Sequence, residues 1–108
     1  MTERQKIEDL VQDEAVDGLE LLVLRRYPRR KVESANYTGY IAAAYGKDET
    51  GTVGIVLWGG QVKKVKSGDV IRIEGGICWM YKDKLIVSAR DGSIEVLVGN
   101  PFLSMDER

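Results

Sequence analysis

The sequence predicts an all-β fold, a small curled barrel of five strands preceded by a short α-helix, and three observations predict it. Apolar residues alternate with period two in most segments after Gly18, glycine-bearing turns punctuate those segments, and one stretch with three-residue apolar spacing falls between the third strand and the fourth. At 108 residues there is room for one domain and no second. The expected organisation is a single domain over 1–108, with a helix over 3–14, the barrel over 18–98 and a tail over 99–108.

The helix rests on Thr2 and Gln5 at capping-box spacing and on Ile7, Leu10 and Val11 at i, i+3 and i+4. From Gly18 the period changes, and Leu19, Leu21 and Val23 share one face of the first strand, which runs into "RRYPRRKV" (25–32). Pro28 has no backbone donor, so the chain there either continues as an edge or bends out of the sheet. VESANYT (32–38) reads as a loop. GYIAAAYG (39–46) is the second strand, and KDETG turns the chain into the third, TVGIVLW (52–58), where Val53, Ile55 and Leu57 alternate with Thr52, Gly54, Val56 and Trp58. Val62 and Val65 predict one helical turn over the barrel end. DVIRIE opens the fourth strand, Gly75-Gly76 bends it, and ICWMY resumes it; YKDK is a tight connection to KLIVSA, and Asp91-Gly92 turns into SIEVLV. Five strands with a helical turn between the third and fourth is the element order of an OB-fold Greek-key barrel.

Composition narrows the function. The chain has no histidine, one cysteine (Cys78) and no nucleophile-elbow, P-loop or metalloprotease motif, so neither an enzyme nor a metal or other cofactor is expected. The opening residues lack the apolar core of a signal peptide and no apolar run reaches membrane-spanning length, which makes the cytoplasm the expected address. The formal net charge of -1 conceals a partition: residues 1–17 sum to -4, and the remainder carries +3. That remainder is clustered, in Arg25, Arg26, Arg29, Arg30 and Lys31, in Lys63, Lys64 and Lys66, and in Lys82 with Lys84. A near-neutral average can hide a polyanion footprint.

The run "DETGTVGIVLWGGQVKKVKSGDVIRIEGG" resembles archaeal-type single-stranded DNA-binding proteins and the OB domains of replication protein A. It carries their D-E-T-G turn (Asp48–Gly51), the L-W that ends strand three (Leu57-Trp58) and the K-x-G-D turn that opens strand four (Lys66–Asp69). The resemblance extends back through "IEDL" and forward to "GSIEVL". It implies a binding face on strands one to three, Trp58 as a base-stacking platform, Tyr81 as the aromatic at the far end of strand four, and Arg30 and Val32 in the contact segment after strand one. Two departures stand out. Relatives often carry an aromatic where this chain has Ile77, a place Trp79 could take, and their longer partner-recruiting tail is replaced by "SMDER".

The residues support the same reading independently. A single strand offers a charged backbone and flat unpaired bases, so its binder needs cations along a groove and exposed aromatic faces within it. Trp58 has the parity opposite to Val53, Ile55 and Leu57, which puts its indole on the outer face beside Thr52 and Gly54; the competing role is closure of the barrel rim. Ile77, Trp79 and Tyr81 alternate with Cys78 and Met80, and the aromatic set is expected outward, with Cys78 and Met80 in the core; the competing arrangement, Trp79 and Tyr81 anchoring the core, would expose a thiol. Tyr27, Tyr37, Tyr40 and Tyr45 are weaker candidates. Arg29, Arg30 and Lys31 are expected to grip phosphates from one wall and Lys82 and Lys84 from the other, leaving Lys63, Lys64 and Lys66 as solubility charges. The expected ligand is single-stranded DNA or, as an alternative, RNA, bound with little sequence preference, in the setting of DNA replication or repair. An OB-fold interaction subunit, docking a protein partner through the 3–14 helix or the apolar Pro101–Leu103, is the competing class.

Overall fold

The structure, a computed structural model, describes residues 4–99. A 3-10 turn (Ile7–Asp9) and the two-residue strand β1 (Ala15–Val16) lead into β2 (Leu19–Arg26), β3 (Arg30–Glu33), β4 (Thr38–Asp48) and β5 (Gly51–Trp58). The helical turn α1 (Gly60–Lys64) follows, then β6 (Val70–Glu74), β7 (Gly76–Tyr81), β8 (Lys84–Ser88) and β9 (Ser93–Val98). Among the described residues no helix is long and apolar enough to cross a membrane.

The period-two pattern fills the core. Leu19, Leu21 and Val23 of β2, Val53, Ile55 and Leu57 of β5, and Ile71 and Ile73 of β6 all bury inward, each contributing roughly 1.5–3 kcal/mol. Val62 and Val65 close one end, as their spacing predicts. β2 pairs antiparallel with β4 on one side and β6 on the other; β4 pairs with β5, β5 runs parallel to β8, and β8 pairs with β7. β6 and β7 are two halves of one line of chain bent at Gly75, whose φ of 66° suits glycine. Because β6 holds β2 while β7 holds β8, the sheet curls back on itself.

Among the described residues there are nine strands rather than five. The fourth expected strand divides at Gly75 into β6 and β7, and the fifth divides at the Arg90–Gly92 turn into β8 and β9. The two-residue β1 and β3 are further additions. The segment 32–38, expected as a loop, instead pairs in its first part with the start of β4, from Arg30 opposite Ile41 to Glu33 opposite Thr38, so β3 and β4 form a ribbon that projects past the barrel. Pro28 is the bend that releases β3 from β2.

The expected helix over 3–14 is corrected: its described part is a strap containing only the 3-10 turn. Its backbone groups are claimed by the barrel before a helix can use them. The N–H of Ile7 donates to Asp48 Oδ2 at 2.8 Å, that of Glu8 to Thr50 Oγ1 at 3.1 Å, and Asp13 N–H and Glu14 C=O bond to Cys78. Leu10 is buried and Ile7 packs against the core, while Val11 stays exposed. A docking helix therefore has no apolar stripe to offer here, and Pro101–Leu103, the other segment expected to serve a partner, lies outside the described residues. Met80 is also corrected. It shares the inward parity of Cys78 but is 44% exposed, because β7 runs past the barrel there toward its turn at Lys82-Asp83. Cys78 itself is fully buried; burial, then the charge of Asp13, pushes its thiol above the usual range.

The D-E-T-G turn is a fastening. Asp48 Oδ1 accepts from Thr50 N–H (2.6 Å), the Thr50 hydroxyl (2.6 Å) and Gly51 N–H (3.2 Å), and Oδ2 holds the strap through Ile7. Glu49 pairs with Arg4 and Lys6 of the same strap. Burial raises the Asp48 pKa, but the Thr50 hydroxyl and the Ile7, Thr50 and Gly51 amides outweigh it, so the carboxyl lies below its ordinary value. A depressed carboxylate stabilises the fold above the unfolded-state pKa and ceases to do so as pH falls through the folded one. Asp48→Asn is therefore expected to cost about 1–2 kcal/mol near neutrality. Urea unfolding of both proteins as a function of pH should show that gap closing in acid; a gap independent of pH would remove the carboxylate from the explanation.

Candidate nucleic-acid interface

The register of the outer face builds the site. Cross-strand pairing sets Arg25 beside Tyr45, Tyr45 beside Gly54, Gly54 beside Ile86 and Ile86 beside Trp79, one row across five strands. A β-bulge between Val23 and Arg25 makes this row possible. It shifts the parity of β2, so that Arg25 and, after it, Tyr27 turn to the outer face while Leu19, Leu21 and Val23 stay inside. Gly54 is the low point of the row: a Cβ there would already meet Ile86 at 3.0 Å. Small Ala43 and Gly54 between large rings leave an open groove of about 660 Å³, whose rim includes Tyr27, Arg30, Tyr45, Trp58, Trp79 and Tyr81. Past Tyr45 and Tyr81 it continues into a second hollow of about 550 Å³, bordered by Ile7, Lys82 and Lys84.

Trp58 is half-buried on the outer face, as its parity predicts. Its indole N–H donates to Ser88 Oγ at 2.7 Å, Tyr37 meets it edge-on with centroids 5.0 Å apart, and the Arg90 guanidinium lies 4.9 Å from its ring centroid. Arg90 also covers Tyr37 at 5.0 Å and donates to the Asn36 carbonyl at 2.6 Å, while the Tyr37 hydroxyl donates to the Tyr40 carbonyl. The tip of the β3–β4 ribbon is thus fastened to the loop after β8 with Trp58 between them. Trp79 is half-buried; Tyr81 is 58% exposed, with the Lys82 ammonium 5.3 Å from its centroid.

The cations divide by parity. Arg30, opposite Ile41, shares the groove face, and half-buried Val32 shares its side of the ribbon. Arg29 and Lys31 belong to the other side: Arg29 stacks on Tyr40 at 4.3 Å, and Lys31 pairs with Tyr40 across the strands and lies 3.9 Å from Glu33. Lys82 and Lys84 stand at the far end, so Arg30, Trp58, Trp79, Tyr81, Lys82 and Lys84 are brought onto one face, and Arg29 and Lys31 are not. Arg25, part of the basic cluster in the sequence, sits with its guanidinium 4.6 Å over Tyr27; Arg90 was not singled out, and Tyr27 and Tyr45, the weaker candidates, line the same groove. A tyrosine opposite a strand glycine was the available signal for Tyr45. Nothing in the sequence marked the bulge that turns Arg25 and Tyr27 outward.

Known proteins place this architecture. The chain superimposes on the second OB-fold domain of replication protein A from Methanococcus maripaludis with a TM-score of 0.74 and 22% identity, covering 91% of this chain and 98% of that one. The OB fold is established. An OB domain from Thermoplasma acidophilum gives a TM-score of 0.73 at 22% identity (89% and 88% covered), and a replication factor A related protein from Methanobacterium thermoautotrophicum gives 0.66 at 23% (88% and 91%). In sequence, this OB domain is 31% identical over 67 residues to the single-stranded DNA-binding protein Ssb of Saccharolobus solfataricus. That alignment takes in 62% of this chain and 45% of the relative, less than half its length. No family model matches the chain. The resemblance to archaeal single-stranded DNA-binding proteins and replication protein A domains thus holds in sequence and in fold.

Proposed function

We propose that this OB domain binds single-stranded DNA, without catalysis and with little base preference along most of the groove. Bases stack on Trp58, Trp79 and Tyr81, with Tyr27 and Tyr45 as further apolar walls, and phosphates meet Arg25 and Arg30 on one side and Lys82 and Lys84 on the other. The observation that carries this reading is the groove itself: aromatic rings stand over a floor lowered by Ala43 and Gly54, with cations at both margins. Every base has a π-face, so such a surface binds strands of any sequence. The name of the Saccharolobus relative supports the same ligand. Arg29 and Lys31, on the reverse of the ribbon, stay outside the groove contacts.

Tryptophan emission titrated with a mixed-sequence DNA oligomer, and with RNA of equal sequence and length, tests the proposal. Quenching by DNA is expected, with three to five phosphate contacts giving a log–log salt slope of about -2 to -3.5. Equal affinity for RNA would widen the ligand to single strands generally. Unchanged emission, or binding indifferent to salt, would end the proposal.

A further inference from the structure

The Trp58 platform opens on a second side. A hollow of about 410 Å³ lies between Trp58, Ile77 and Trp79 on one hand and Arg90 and Asp91 on the other. Its position is fixed by backbone contact. Gly92, which lacks a Cβ, sits directly against Glu74 and Gly75, so the β8–β9 turn is pressed onto the β6–β7 bend and carries Arg90 and Asp91 to the start of β7. Ile77, 44% exposed, supplies an aliphatic wall beside the indole.

The polar groups at this hollow differ from those of the rest of the groove, where the charged lining residues are the cations Arg30, Lys82 and Lys84. Asp91 is an exposed carboxylate with no hydrogen bond or ion pair among the described residues. Ionised, it is an acceptor only. Arg90 gives one N–H to the Asn36 carbonyl and, with five donors on its guanidinium, retains others. An acceptor and a donor on consecutive residues, next to a stacking ring, match a base edge that presents a donor beside an acceptor.

Resting on the proposed single-strand binding, we infer that this hollow is a base-reading subsite that takes an amino-bearing base, cytosine foremost, in preference to thymine. The cytosine N4 amine donates to Asp91, and its ring acceptors receive the Arg90 N–H. In that same pose thymine sets O4 against the carboxylate and its N3–H against the Arg90 donor, so both contacts turn repulsive.

The test compares oligocytidine with oligothymidine of equal length, on the wild type and on Asp91→Asn. The asparagine keeps the size of the side chain and the Asn-Gly turn chemistry, but exchanges an acceptor-only group for one that also donates to a carbonyl. The cytosine-to-thymine affinity ratio is expected to fall by about fivefold in the variant, the lower end of what one base-edge pair discriminates. Removing a negative charge raises affinity for both oligomers alike, and any intrinsic difference between the two homopolymers cancels between proteins. An unchanged ratio, with both oligomers still bound, would overturn the subsite and leave single-strand binding intact. Failure to bind either oligomer would remove the parent proposal and this one together.

Discussion

Trp58→Ala is expected to weaken single-stranded DNA binding by about 5- to 150-fold, the loss of one stacked base. Of the three aromatics proposed to stack bases, Trp58 is singled out by how it is held. Its N–H is fixed by Ser88, Tyr37 packs against it at nearly a right angle, and the Arg90 guanidinium lies over the ring, so the plane is set before a base arrives and little ordering cost attends binding. Tyr81, by contrast, is mostly exposed, with the Lys82 ammonium 5.3 Å from its ring centroid. The salt slope separates stacking from disruption of the site. The proposed phosphate contacts come from Arg25, Arg30, Lys82 and Lys84, none of them on β5, so the slope should persist while the affinity falls. Trp58→Phe is a second control: it keeps a π-face but leaves Ser88 without its donor, at a cost of roughly 0.5–1.5 kcal/mol in stability and a smaller loss of binding. Wild-type affinity in Trp58→Ala would remove the indole from the site.

The barrel was readable because its strands obey a strict period: Val53, Ile55 and Leu57 could face only one way, and Trp58 only the other. The Gly75 bend and the α1 turn were readable for similar local reasons. What failed was decided by groups distant in sequence. Ile7, Leu10 and Val11 have helical spacing, yet Asp48 and Thr50, some forty residues away, take the donors that a helix would need. β3 pairs only because β4 extends past the barrel to meet it, and its polar sequence gave no strand signal. For the groove, alternation found Trp58, Trp79 and Tyr81, but a one-residue bulge at Leu24 turned Arg25 toward it and the β3–β4 register sorted the cations after Pro28. Arg25 and Arg30 do; Arg29 and Lys31, next to Arg30 in sequence, do not. Charge clustering locates a basic segment, and only register says which half of it can touch a ligand.

Gly92→Ala is expected to destabilise the domain by about 2–4 kcal/mol, a drop in Tm of roughly 10–25 °C for a chain of this size. The sign is contested by a real opposing term, since removing a glycine restrains the unfolded chain and by itself stabilises by about 0.4–1 kcal/mol. Contact decides the outcome. A Cβ at position 92 would lie 2.2 Å from the Glu74 carbonyl oxygen, 2.5 Å from that of Gly75 and 2.6 Å from the Gly75 carbonyl carbon. All three are backbone atoms at the bend between β6 and β7, so no side chain can rotate away, and relief requires the β8–β9 turn to lift off the bend. Arg90 belongs to that turn and touches Trp58, which couples the stability defect to the binding platform: the indole should lose its guanidinium neighbour and its emission should shift even where the variant remains folded. Gly75→Ala makes the comparison quantitative. It meets only the Gly92 Cα at 3.1 Å but must adopt a φ of 66°, so its penalty is mainly the roughly 1–2 kcal/mol of a left-handed residue. Thermal unfolding should therefore rank Gly92→Ala below Gly75→Ala and both below the wild type; a Gly92→Ala protein as stable as the wild type would mean that the two turns are not pressed together, and would take the Arg90–Asp91 subsite with it.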